Sequence, residues 1–300
     1  MNIFDFGKIA VIYGGESPER DVSLESGAAI LNALVGMGAD VVGVDLLGVE
    51  LIDTLRDRKI DYCFIALHGP GGEDGTLQGM LSSMNIPYTG SHTAASAFGM
   101  DKVASKCIWQ AMKLLTPKFI ILDDTLNTSS LRFPLAIKPT NQGSSIGIHK
   151  VKRIESLEDA YNHAKQYGAV MAEEWIEGIE LSVPIIGTEV LPSIRIESAA
   201  EFYDYNSKYI NNSSYYCPSG IGEQYEKKIR ELAYIAFNSL GCKGWARVDF
   251  LMDSNYNFYL LEVNTVPGMT EKSLVPKSAK VKGWSYQELI LNILKSSYND

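Results

Sequence analysis

Two strand-like runs, ARVDFLM and FYLLEVN, joined by DSNYN within residues 246–264, constrain this chain more than any other feature. Strand side chains alternate between faces. Arg247, Asp249 and Leu251 therefore share one face, with Val248, Phe250 and Met252 on the other. In the second run the same alternation groups Phe258, Leu260, Glu262 and Asn264, opposite Tyr259, Leu261 and Val263. A four-residue loop from Ser254 to Asn257 pairs Asp253 with Phe258, which sets Asp249 opposite Glu262 and Arg247 opposite Asn264. Two acids and an amide oxygen make a hard-oxygen cluster of the kind that binds magnesium alongside substrate phosphates. Apposed acids repel unless a cation lies between them. The other reading is a solvated hairpin face whose acids pair with Arg247.

The N-terminal third has a different rhythm. KIAVIY (8–13) is a β-branched run ending in Gly14-Gly15, read as a strand entering a turn. A helix should follow, with Ser17 as N-cap, Pro18 in its first turn and a stripe of Val22, Ala29, Ala33 and Met37. A strand near 40–46, a helix near 51–58, the strand DYCFIAL (61–67) and a glycine-rich turn before another helix continue the pattern. Alternating strand and helix predicts βα units on a parallel sheet.

The middle predicts helices over 92–98 and 101–113, strands at PKFIIL and PLAIKP, a Gly/Ser turn with a strand resuming at Ile146, the helix SLEDAYNHAKQ and the strand VMAEEW. The last third predicts strands at ELSVPIIG and LPSIRI, a tyrosine-rich polar stretch over 201–220, a helix over 221–239, the strand pair and a terminal helix over 285–296. With no internal repeat and no low-complexity linker, this reads as three lobes in one unit.

Other segments carry chemistry. In PLAIKPTNQGSSIGIHK, Lys138 ends a buried strand and Gly143-Ser144-Ser145 follows, a set suited to phosphate oxygens or to an ordinary polar turn. The Walker A order is absent, and GGESPER cannot be the dinucleotide fingerprint. Glu19 either offsets a helix dipole or projects beyond a strand's C-terminal end to hold an ammonium. HGPGGEDG is an anion-binding turn or a tight connection, and His68 within it is structural or near substrate. The stretch 201–220, with its tyrosines and Lys208, reads as a lid over a ligand or as interlobe packing.

Composition excludes several classes. With 27 basic and 36 acidic residues the net charge is −9, against a general nucleic-acid binder. No basic segment followed by an apolar stretch opens the chain, so a signal peptide is not expected. No run reaches the roughly 18 apolar residues of a membrane span. Cys63, Cys107, Cys217 and Cys242 show no metal or disulfide spacing, and the four histidines no HExxH, so reduced thiols and no zinc are expected. A cytoplasmic location follows as an expectation.

Taken in order, GGESPERDVSLESG, LHGPGGEDGTLQGML, MDKVASK, AIKPTNQGSSIGI, EEWIEGIELSV, FYDYNSKY, GCKGWARVDF and LLEVNTVPGMTEKSLVP closely resemble the D-alanine–D-alanine ligase family of the ATP-grasp superfamily. The resemblance runs from residue 11 to about 280. It implies an α/β chain with α+β elements and the ATP-grasp fold. The lobes implied are 1–94, Rossmann-like and substrate-binding, then 95–181 and 182–300 clasping ATP, with a lid at 201–220.

The resemblance also implies roles. Lys102 and Lys138 would hold nucleotide phosphates, Glu173, Glu174, Trp175 and Ile176 the adenine, Glu180 the ribose, and Lys208 the γ-phosphate. Asp249, Glu262 and Asn264 would bind two magnesium ions, manganese being able to substitute, with Glu262 bridging. Glu19, with His68 nearby, would take the ammonium of the first D-alanine. Arg247 and the Gly268 backbone would form the oxyanion site, and Ser273 and Leu274 would take the second carboxylate. Ser144, Tyr209 and Glu19 would clasp the lid. The implied activity is ATP-dependent joining of two D-alanines through an acyl phosphate for peptidoglycan, in a homodimer without nucleic-acid or membrane partners.

Departures from the family pattern are small. Pro70 stands where a polar residue is frequent, Ala246 and Val263 replace small or polar neighbours, and the lid is slightly short. Sister enzymes that join D-alanine to D-lactate or D-serine share the pattern, and Lys208-Tyr209 speaks against the former. A nucleotide-binding regulator without turnover would lack a metal carboxylate or the oxyanion arginine, and neither is missing.

Overall fold

The structure, a computed structural model, describes residues 2–48, 50–197 and 214–298. After a single 3-10 turn over Ile3–Phe6, the first strand is β1 (Ile9–Tyr13), whose first four residues are fully buried. α1 (Arg20–Gly36), β2 (Val41–Asp45), α2 (Leu51–Asp57), β3 (Tyr62–Ile65) and α3 (Thr76–Ser83) follow. The three strands form a parallel sheet in the order β2-β1-β3, as the alternation predicts. The helix after β1 starts two residues later than its cap signal implied. Ser17 does not cap it; its hydroxyl donates to the His68 carbonyl (2.8 Å) and accepts from the Glu19 N–H (3.2 Å). That turn leaves Glu19 at the N-cap position, beyond the C-terminal end of β1.

α4 (Thr93–Met100) and α5 (Lys102–Ala111) lead into β4 (Phe119–Leu122), β5 (Leu135–Pro139), β6 (His149–Val151), α6 (Leu157–Ala164) and β7 (Val170–Glu174). These strands form an antiparallel sheet in the order β4-β7-β5-β6. Strand structure does not resume at Ile146. Ser144, Ser145 and Gly147 have φ of 50°, 59° and 71°, and such left-handed backbone cannot enter a ladder, so β6 waits until His149.

The remaining elements are β8 (Ile179–Ile186), β9 (Glu189–Val190), β10 (Ile194–Glu197), β11 (Ser214–Tyr216), α7 (Glu223–Ser239), β12 (Trp245–Met252), β13 (Phe258–Asn264), α8 (Leu274–Lys282) and α9 (Tyr286–Tyr298). A sheet runs β11-β10-β8-β12-β13, with β9 added beside β8. The α8 helix has no counterpart in the sequence reading; its Pro276 falls in the first turn, where no N–H is needed.

The β12–β13 register is Arg247↔Asn264 and Asp249↔Glu262, as expected near the acids. Nearer the turn it is Phe250↔Leu260 and Met252↔Phe258, so Asp253 does not pair with Phe258. A bulge between these two stretches absorbs the extra residue. Its effect is to switch faces: Phe258 and Leu260 lie in the same apolar cluster as Val263, Val248 and Phe250, and only Glu262 and Asn264 share a face with Asp249 and Arg247 opposite them. The uninterrupted face Phe258–Leu260–Glu262–Asn264 is thereby corrected.

Three larger apolar clusters follow the sheets. The one around the parallel sheet also takes in Val275 and Ala279 of α8 and Leu289, Ile290, Ile293 and Leu294 of α9.

Candidate active site

Asp101 caps α5 by accepting from the Val103 and Ala104 N–H groups (2.8 and 3.0 Å). That cap fixes the helix phase, so Lys102, Ser105, Lys106 and Trp109 form its buried face. Lys102 Nζ donates to the Gln142 carbonyl (2.7 Å) and pairs with Glu262 Oε2 (2.9 Å). A turn later, Lys106 Nζ pairs with Glu173 Oε2 (2.9 Å), while Lys138 Nζ takes Glu173 Oε1. Burial pushes the Glu173 carboxyl up, but the two lysines more than offset this and the net shift is downward. Lys106, fully buried, is pushed down to about 8 by that burial against the pull of Glu173. The sequence reading missed Lys106; its signal was a lysine recurring four residues after Lys102 on a helix face that should have been apolar.

On β12, Arg247 grips Asp249 through Nε (2.9 Å to Oδ1) and a second nitrogen (2.6 Å to Oδ2). Ser182 donates to Asp249 Oδ1 (2.6 Å). Both hairpin acids thus hold cations of the chain itself: the reading in which Arg247 pairs with the acids is realised at Asp249. Asn264 Oδ1 is buried and has no hydrogen-bond partner among the described residues. An orphaned amide oxygen beside two carboxylates fits a divalent cation with hard oxygen ligands.

Glu19 meets the Gly/Ser turn, where Ser144 Oγ donates to its Oε1. The backbone on either side leaves space for this carboxylate: a Cβ on Gly69 (φ +75°) would sit 2.8 Å from Glu19 Oε2, and one on Gly143 3.1 Å away. His68 is buried; its Nδ1 lies 2.7 Å from the Val266 carbonyl, which can only accept, so Nδ1 carries the proton. Its Nε2 lies 3.1 Å from Ser26 Oγ, which also accepts from the Met269 N–H. Glu73, another buried group missed from sequence, stands 3.7 Å from His68 Nδ1, and burial raises its carboxyl although His68 pulls the other way. HGPGGEDG turns out to be a tight connection. Gly72 and Glu73 N–H groups bond the Gly69 carbonyl, and Asp74 takes those of Gly71 and Thr76.

Ser273 occupies the N-cap position of α8, its Oγ accepting from the Thr270 N–H (3.0 Å), and Leu274 opens the helix. A Cβ on Gly268 would lie 3.0 Å from Ser273 Oγ, so the two are neighbours. A helix N-terminus offers unpaired N–H groups to an anion. Along the hinge, Glu174 is gripped by Arg132 (3.0 Å), the Trp175 N–H bonds the Pro134 carbonyl and Lys150 stands 4.3 Å over the Trp175 ring. Ile176 follows, and Glu180 lies on β8. Lys208 and Tyr209 lie outside the described residues.

Comparison with known proteins bears on this constellation. Residues 108–295 match the family model described as D-ala D-ala ligase C-terminus, and 49–91 that of the D-ala D-ala ligase N-terminus. The chain is 46% identical over 291 residues to a D-alanine–D-alanine ligase of Francisella tularensis subsp. novicida, covering 97% of this chain and 98% of the relative. A D-alanine–D-alanine ligase from Bacillus anthracis superposes with a TM-score of 0.87 at 35% identity, with 97% of each chain covered. The same enzyme complexed with ATP gives 0.85 at 32%, again over 97% of each. The chain, with its carboxylate hairpin and paired lysines, belongs to the D-alanine–D-alanine ligase family.

Proposed function

We propose that the protein joins two D-alanines to D-alanyl-D-alanine at the expense of ATP, through an acyl phosphate, for peptidoglycan synthesis. The observation that carries this reading is the orphaned Asn264 Oδ1 beside Asp249 and Glu262, with Lys102 and Arg247 already paired to those acids. Lys102, Lys138 and Lys208 hold the phosphates, Glu173 to Ile176 the adenine, and Glu180 the ribose. Asp249, Glu262 and Asn264 would hold two magnesium ions, or manganese, which when bound offset charge on the transferring phosphoryl group.

The chain's own groups do the rest. Glu19 is the anion for the first D-alanine's ammonium, with His68 beside it. The carboxylate of that first D-alanine takes the γ-phosphoryl group in line and ADP leaves, since a free carboxylate is a poor acyl donor. Ser273 and Leu274, at the N-terminus of α8, hold the second D-alanine's carboxylate. Its amine attacks the acyl carbon, phosphate leaves, and Arg247 with the Gly268 N–H offsets charge on the tetrahedral oxygen. Water would hydrolyse the acyl phosphate, so the clasp of Glu19, Ser144 and Tyr209 keeps a lid over residues 201–220 closed.

The three-lobe division at 94/95 and 181/182, a homodimer and a cytoplasmic location complete the reading. No helix among the described residues is long and apolar enough to cross a membrane. Sedimentation at enzyme concentration tests the dimer. The central test is phosphate release from Mg·ATP with no acceptor, L-alanine, D-alanine, and D-alanine plus D-lactate. Release that requires D-alanine and yields the dipeptide at neutral pH is expected; ATP binding with no D-alanine-dependent release would overturn the reading.

A further inference from the structure

Lys106 has no role in the chemistry above, yet its side chain is fully buried and its ammonium faces three oxygens. These are Glu173 Oε2 at 2.9 Å, Thr116 Oγ1 at 2.7 Å and the Leu260 carbonyl at 3.4 Å. Thr116 Oγ1 also donates to the Leu260 carbonyl (2.9 Å), and the Leu260 N–H bonds the Leu115 carbonyl (2.8 Å). Leu260 sits at the β13 bulge, two residues before Glu262, on the outer strand of its sheet. Its outward backbone groups are therefore satisfied by the Leu115-Thr116 segment and Lys106 rather than by another strand.

The other end of the network is the hinge. Glu173 lies on β7 between Phe119 and Ala136, and its two oxygens are divided between Lys106 and Lys138. Without Lys106, Lys138 would be the sole cation of a buried carboxylate that it already bonds, and could turn to a phosphate only by leaving that charge unpaired. We propose that Lys106 is a positioning residue of the nucleotide site: it holds Glu173 so that Lys138 can serve ATP, and it ties the hinge to the strand that carries Glu262. The inference rests on the reading of Glu173 and Lys138 as nucleotide residues.

Steady-state kinetics of Lys106→Met test it. KM for ATP should rise at least tenfold, while kcat and KM for D-alanine stay within about threefold. A role only in folding would not produce that split. On a Glu173→Gln background the same change should raise KM for ATP less than twofold further, because Lys106 acts through Glu173. If Lys138→Met raises KM for ATP and Lys106→Met does not, the proposal is overturned and the nucleotide site stands. If neither Lys138→Met nor Glu173→Gln alters it, the nucleotide assignment falls and the proposal with it. Should Lys106→Met fail to fold, Thr116→Val keeps the charge and removes the hydroxyl that bridges Lys106 to the Leu260 carbonyl. It should raise KM for ATP about threefold, and an unchanged value would overturn the proposal.

Discussion

Glu173 and the hairpin acids are both carboxylates held by lysine or arginine, but they are held for different purposes. Glu173 is buried, shared by two lysines and locked between two strands. Glu262 has a side chain 26% exposed and pairs with Lys102, while Asp249 is gripped by an arginine from its own strand. Removing either lysine from the first leaves an interior carboxylate with one cation in place of two. Of the hairpin acids Glu262 is the more open, Asp249 being as buried as Glu173; under the proposed function their cations would turn to phosphate or to a developing oxyanion when a metal takes their place. One arrangement keeps shape; the other holds charge in readiness.

The comparison breaks first at Glu262. Glu262→Gln should lower kcat by about a thousandfold, roughly 4 kcal/mol of transition-state stabilisation, with little change in melting temperature. Chelation with EDTA should likewise abolish turnover and move the melting temperature by no more than ~2 °C, since internal cations already neutralise the acids. Near-normal turnover of Glu262→Gln would remove the metal assignment.

The opposite profile belongs to the buried pair. Lys106→Met should cost about 3 kcal/mol of stability, the usual scale for breaking a buried ion pair, and lower the melting temperature by several degrees. Thermal unfolding reads this directly, and a loss as small as that of Glu262→Gln would erase the distinction.

A third carboxylate, Glu19, sharpens the contrast because its partner comes from another part of the chain. Ser144→Ala should reduce kcat/KM for D-alanine about tenfold, near 1.4 kcal/mol, with KM for ATP little changed. Under the proposed clasp, Tyr209→Phe should act in the same direction. Unchanged kinetics in both would take the clasp out of the account.

The smallest effect lies at Asp45, two-point bonded to Arg20 (2.6 and 2.8 Å) next to Glu19. That hydrogen bonding holds the Asp45 carboxyl down to about 2, below its ordinary value of 3.8. Because the folded value is the lower one, the pair stabilises above about pH 4 and is lost as pH falls through about 2. The site is partly exposed, so Asp45→Asn should cost less than about 1 kcal/mol at pH 7 and only a fraction of that at pH 2, where the folded carboxyl is half protonated. Melting curves at the two pH values show whether the difference shrinks as it should.

Much of this was legible in sequence because periodicity is a local property. Alternation of apolar runs gave the parallel sheet, and counting across the loop placed Asp249 opposite Glu262. What stayed hidden depends on backbone states that side-chain patterns do not encode. The bulge is masked by the adjacent apolar pair Leu260-Leu261, which reads equally well as straight strand. IGIHKV alternates like a strand, yet the left-handed Ser144 and Ser145 delay β6 by three residues. Ser17 carries every sign of a helix cap but is spent on the His68 carbonyl, a contact 51 residues away in the chain.

The helix α9, which completes the cluster around the parallel sheet, has a consequence for how the molecule comes into being. Leu289, Ile290, Ile293 and Leu294 are all fully buried there, although α9 lies more than 200 residues after β3 in the chain. A chain emerging vectorially can pair β1 with β2 and β3 early, but part of that lobe's apolar surface stays wet until α9 arrives. Until then the lobe displays a sticky, incomplete core.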